Sequence, residues 1–83
     1  THKAITKLSY KQKYALEQLP GEMRELETLI ADSKKLLSDT SLFTKDPKLF
    51  NKTAMALEKA ETRLAEAEAE WLELEILREE LEG

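Results

Sequence analysis

Lys48, Lys52, Lys59 and Arg63 are spaced four, seven and four apart, so a helix would carry all four cations on one face. Lys45 stands just before them, and Lys34 and Lys35 lie a short distance upstream. A row of cations along a rod can match the phosphates of a nucleic-acid backbone, giving contact that depends on salt but not on base sequence. Phe43, next to this group, has a ring that could stack on an unpaired base. The plainer reading of the same lysines is a solvated helix face that aids solubility, and the residues alone favour it.

Other chemistry is harder to find. His2 is the only histidine and stands at the very start, there is no cysteine, and no serine has a plausible base beside it. Glu66, Glu68, Glu70, Glu73 and Glu75 supply carboxylates without a second ligand type or a glycine-bearing loop. They read as a solvated face rather than a metal site. No G-x-x-x-x-G-K-[ST] run is present to cradle phosphates. The expectation is a chain with no catalytic residues, no metal site and no cofactor of its own.

The elements that must position the lysines follow from the apolar spacing. Ser9-Tyr10-Lys11-Gln12 fits a capping box, so a helix is expected to open there. Leu16, Leu19, Met23, Leu26, Ile30 and Leu37 then recur every three or four residues, with Ser33 filling the one gap. Pro20-Gly21 falls inside this seam without disturbing its phase, which predicts a kink or short break rather than a linker. Helix character fades at Ser38-Asp39-Thr40-Ser41, and Leu42 to Pro47 reads as a non-helical tip. Asp46-Pro47 marks the next start: the carboxylate accepts from first-turn N–H groups, and proline at the first position forfeits no hydrogen bond. A second seam follows through Phe50, Thr53, Leu57, Ala60, Leu64, Ala67, Trp71, Leu74, Leu77 and Leu81.

These signals predict an all-α fold, an antiparallel two-helix coiled-coil hairpin with an N-terminal helical segment packed at its base. Residues 1–8 are expected as a basic linker end and 9–83 as the hairpin domain, with arms over about 9–38 and 47–82 and a tip at 39–46. Folding the arms together sets Leu37 against Phe50, Ile30 against Leu57, Met23 against Leu64 and Leu16 against Trp71. Ile5, Leu8, Tyr10 and Tyr14 are expected to thicken the base around Trp71 and the stretch from Ile76 to Leu81.

The 83 residues carry a net charge of −4, unevenly placed. Lys3, Lys7, Lys11 and Lys13 open the chain with no acid among residues 1–14, whereas residues 60–83 hold nine Glu against Arg63 and Arg78. An acidic total argues against indiscriminate nucleic-acid binding. The absence of Cys suits a reducing compartment, and no apolar run approaches the length of a membrane span. The chain reads as soluble and cytoplasmic, and Pro20-Gly21 in the seam favours a monomer over a long dimeric coil.

The order Lys7-Leu8-Ser9-Tyr10-Lys11, Leu16-Glu17-Gln18-Leu19-Pro20, Ala31-Asp32, the tip with Phe43 and Asp46-Pro47, and Glu70-Trp71-Leu72-Glu73-Leu74-Glu75 resembles a known domain. It is similar, over nearly the whole chain, to the C-terminal coiled-coil domain of the Uup-type ABC-F ATPases. The resemblance implies a parent with two ATP-binding cassettes, using ATP and Mg, and a terminal hairpin associated with DNA binding. DNA or structured RNA, the parent's cassettes and the ribosome are the partners it implies. The alternative role is a protein-interaction or spacer arm acting on the parent or on the ribosome.

Overall fold

The computed structural model of the chain describes residues 8–82, the side chain of Glu82 excepted. Helix α1 runs Tyr10–Leu37, α2 is a single turn at Leu42–Lys45, and α3 runs Pro47–Glu82. The two long helices pack antiparallel along their length, and α2 packs on α3 at the turn, giving a rod with extents of 64 × 21 × 16 Å. Among the described residues there is no strand. The fold is the helical hairpin the apolar spacing predicts.

Local signals set the helix ends. Ser9 caps α1 reciprocally: its hydroxyl accepts from the Gln12 N–H at 3.1 Å, and its own N–H donates to Gln12 Oε1 at 2.9 Å. Ser38 closes α1, its N–H donating to the Lys34 carbonyl and its hydroxyl to that of Lys35. Lys34 and Lys35 in this last turn also suit the negative end of the helix dipole. Asp46 opens α3, its Oδ1 accepting from the Leu49 N–H at 3.1 Å, with Pro47 as the first helical residue.

The core is one seam. Leu8, Leu19, Ala60 and Ala67 are buried, Ala67 completely, and Ser33 and Thr53 are buried polar members of the same seam. Leu16, Met23, Leu26, Ile30, Phe50, Leu57, Leu64, Trp71 and Leu74 are half-buried, as a two-helix layer with no third wall must leave them. Alanine at 60 and 67 lets the arms approach closely. No buried side-chain polar atom among the described residues lacks a hydrogen-bond partner.

Several expectations are corrected. Helix α1 continues through Pro20 and Gly21, so of the expected kink or short break, the break does not form. The proline forfeits one backbone hydrogen bond, but packing against α3 on both sides of it keeps the phase. The tip is not fully non-helical, because Leu42–Lys45 forms a helical turn. Asp39 prepares that turn by accepting from both the N–H and the hydroxyl of Ser41, at 3.0 and 2.7 Å. The hydroxyl first, and then the N–H, hold the Asp39 carboxyl below its ordinary range. Tyr10 and Tyr14 do not pack at the base: they are 84% and 55% exposed. Each lies two residues, more than half a helical turn, from half-buried Gln12, one turn before Leu16 in the seam, which turns it to the opposite side. Thr1 to Lys7, with His2 and Ile5, and Gly83 lie outside the described residues, so the expected N-terminal packing segment does too, apart from Leu8.

Candidate nucleic-acid interface

The tip gathers cations by helix geometry. The end of α1 supplies Lys34 and Lys35, α2 supplies Lys45, and one side of α3 supplies Lys48, Lys52 and Lys59, all exposed. Among the described residues, Lys35, Lys45, Lys48, Lys52 and Lys59 form no ion pair, whereas Lys34 reaches Glu61 on the other arm at 3.8 Å. Lys48 stands in the first turn of α3, which contains no acid. A cation there opposes the helix dipole, so helix stability does not account for it.

Phe43 is 56% exposed and meets Phe50 edge to face, the ring centroids 5.2 Å apart and the planes at 73°. This contact joins α2 to the first turns of α3. Behind it a shallow cleft of about 280 Å³ lies between the arms, lined by Leu29, Ser33, Leu36, Leu49 and Thr53, with Lys52 and Asp32 also on its walls.

Arg63 is placed differently from the other cations. Its guanidinium grips Glu22 of α1 in a fork, Nε to Oε2 at 2.5 Å and Nη2 to Oε1 at 2.8 Å, and Glu66 lies 3.7 Å away. Hydrogen bonding from Arg63, with its charge adding to the effect, holds the Glu22 carboxyl below the usual carboxylate range; Glu22 in turn raises the Arg63 pKa. The spacing that sets Arg63 in line with Lys59 did not reveal this partner. The seam contains the signal: Glu22 and Arg63 each immediately precede the residues expected to face each other, Met23 and Leu64. Such flanking positions carry cross-helix ion pairs in coiled coils.

An antiparallel helical hairpin with a cationic tip belongs to the class of two-helix coiled-coil domains. Residues 7–75 match the family model of the ABC transporter C-terminal domain, and the chain belongs to that family. Comparison with curated proteins and with solved structures gives no match. No helix among the described residues is long and apolar enough to cross a membrane, and no group of three or more His, Cys, Asp or Glu among them could hold a metal ion.

Proposed function

We propose that this hairpin is the DNA-binding C-terminal arm of a Uup-type ABC-F ATPase and grips phosphates through its tip. Lys45, Lys48, Lys52 and Lys59 make the main contacts, Lys34 and Lys35 add to them from the other arm, and Arg63 contributes charge from within its ion pair. The observation that carries this reading is a set of six exposed lysines on the tip half of the hairpin, all but Lys34 without a carboxylate partner among the described residues, on a chain that is acidic overall. Contacts to phosphate alone read no bases, and Phe43 adds a stacking face for an unpaired nucleotide. The parent supplies ATP, Mg and hydrolysis, while this chain contributes binding and acts as a cytoplasmic monomer within it.

The test is a titration of labelled duplex, branched and single-stranded DNA and a structured RNA at several salt concentrations. Affinity is expected to fall steeply with salt, with a log–log slope of about −3 to −5 for the few phosphates these lysines can neutralise. The variant Lys48→Glu/Lys52→Glu/Lys59→Glu should lose binding while keeping its helicity. Unchanged affinity in that variant rules out the tip as the interface.

A further inference from the structure

One side of the hairpin is apolar near the tip and edged by charges that find no partner within the chain. Leu29 and Leu36 of α1 and Leu49 and Ala56 of α3 each stand one residue before a seam position, so all four project to the same side of the rod. They line the cleft of about 280 Å³ and stay open to solvent, with Leu29 at 45% and Leu36 at 39%. Glu22 and Arg63 hold the equivalent positions one heptad nearer the base, and their fork fixes which residues of the two arms stand at the same height. Beside this strip, two residues past seam positions or a heptad further, α1 carries Lys11, Glu25 and Asp32 along one edge. Along the other edge α3 carries Lys52, Lys59 and Glu73. All six are exposed, and none forms an ion pair among the described residues. Gln18 and Glu66 complete the rows, Glu66 lying 3.7 Å from Arg63 of its own chain. The edges are opposite in sign near the tip, where Glu25 and Asp32 stand level with Lys59 and Lys52. They are opposite again near the base, with both signs exchanged, where Lys11 stands level with Glu73.

We infer that this side receives a second copy of the chain, tips together, to form a four-helix bundle. A two-fold axis along the rod lays α1 of each copy over α3 of the other at unchanged height. Leucine strip then meets leucine strip. At both edges Asp32 meets Lys52, Glu25 meets Lys59 and Lys11 meets Glu73, so every unpartnered charge gains an opposite one. The forks meet in the same sense, Glu22 of each copy toward Arg63 of the other. Docking with the tips apart cannot satisfy both features. Centred on the leucines, it sets Asp32 against Asp32 and Lys52 against Lys52; centred on the charges, it lays the leucines over Ala15 and Glu70. The seam stays closed in each copy, so Pro20-Gly21 is no obstacle. Lys52 and Lys59 cannot hold phosphate and a second copy at once. Pairing therefore belongs to the free arm, and the phosphate-bound arm is the monomer proposed above. The pairing itself does not rest on that reading.

Sedimentation equilibrium of the chain without nucleic acid, over a wide concentration range at low salt, tests this. The average mass should rise from 9.5 kDa toward twice that value, and the rise should weaken as salt is added. A mass that stays at 9.5 kDa throughout overturns the proposal. The variant Leu29→Gln/Leu36→Gln, which leaves the seam and every lysine in place, should pair at least roughly tenfold more weakly with unchanged helicity. Its nucleic-acid affinity should not change, which keeps this test separate from the phosphate reading. Equal pairing by that variant places the interface elsewhere and overturns the proposal. Charge is tested by rescue. Glu25→Lys/Asp32→Lys and Lys52→Glu/Lys59→Glu should each fail to pair alone, because like charges then meet at both edges. Mixed together they should pair, because both edges of the mixed dimer are again opposite in sign. A mixture that stays monomeric overturns the proposal. Spin labels on Thr44→Cys should report a short distance between copies; one approaching the 64 Å length of the rod would overturn the tips-together arrangement.

Discussion

The two halves of this hairpin share one backbone plan and differ in almost everything displayed on it. Toward the tip, the seam includes buried Ser33 and Thr53, lysines outnumber the exposed carboxylates, and the chain turns through capped, hydrogen-bonded corners. Toward the base, the seam is closed by Leu19 and fully buried Ala67, and the exposed charges of α3 are glutamates, facing Lys11 and Lys13 at the start of α1. Packing distinguishes the halves less than charge does. A two-helix rod has little interior, so its surface is free to vary by region while the seam keeps its rhythm. The Glu22–Arg63 fork lies near the middle, between the two halves.

The contrast is tested most severely by the triple lysine reversal: nucleic-acid affinity should fall by roughly a hundredfold or more, while the emission of Trp71, the chain's one tryptophan, stays unchanged at the base. A shifted spectrum would mean the halves are not independent. Next in size is Ala67→Leu, which forces a large side chain into a completely buried position and should cost about 1–3 kcal/mol in urea unfolding. A null effect there would show the base to be looser than the buried alanine indicates. Asp46→Ala removes the cap of α3 and should cost about 1 kcal/mol, with amide exchange accelerated over the first turns of α3 and not at the base. The smallest effect is expected from Glu22→Gln. The fold holds the Glu22 carboxyl below its ordinary value of 4.5, so its contribution is fully present above that pH and disappears as the pH falls through the lower, folded value. Wild-type and variant melting temperatures should differ slightly at pH 7 and converge in acid or high salt.

Much of this architecture is legible in the residues because it rests on local chemistry. The Ser9–Gln12 box and the Asp46-Pro47 start are short-range hydrogen-bond patterns, and the seam positions follow from helical period alone. What escapes such reading depends on the far arm. Pro20 stays helical because α3 supports the segment from outside. Tyr10 and Tyr14 look like packing residues by type, yet their angular position, two residues to either side of Gln12, sends them to solvent. Leu42–Lys45 becomes helical through the Asp39 side chain, a non-periodic signal. At the candidate site the lysines are visible from spacing, whereas the commitment of Arg63 to Glu22 requires knowing which residues meet across the hairpin.

That fork has a bearing on how faithfully the rod assembles. Heptad seams are nearly self-similar, so two arms can slide past one another by seven residues and still match leucine with leucine. Such a slip in one direction sets Glu22 opposite Glu70 and in the other opposite Ala56, trading an attraction for repulsion or for nothing. A single off-seam contact thus acts as an index mark, and it determines which residues of the chain end up at the apex.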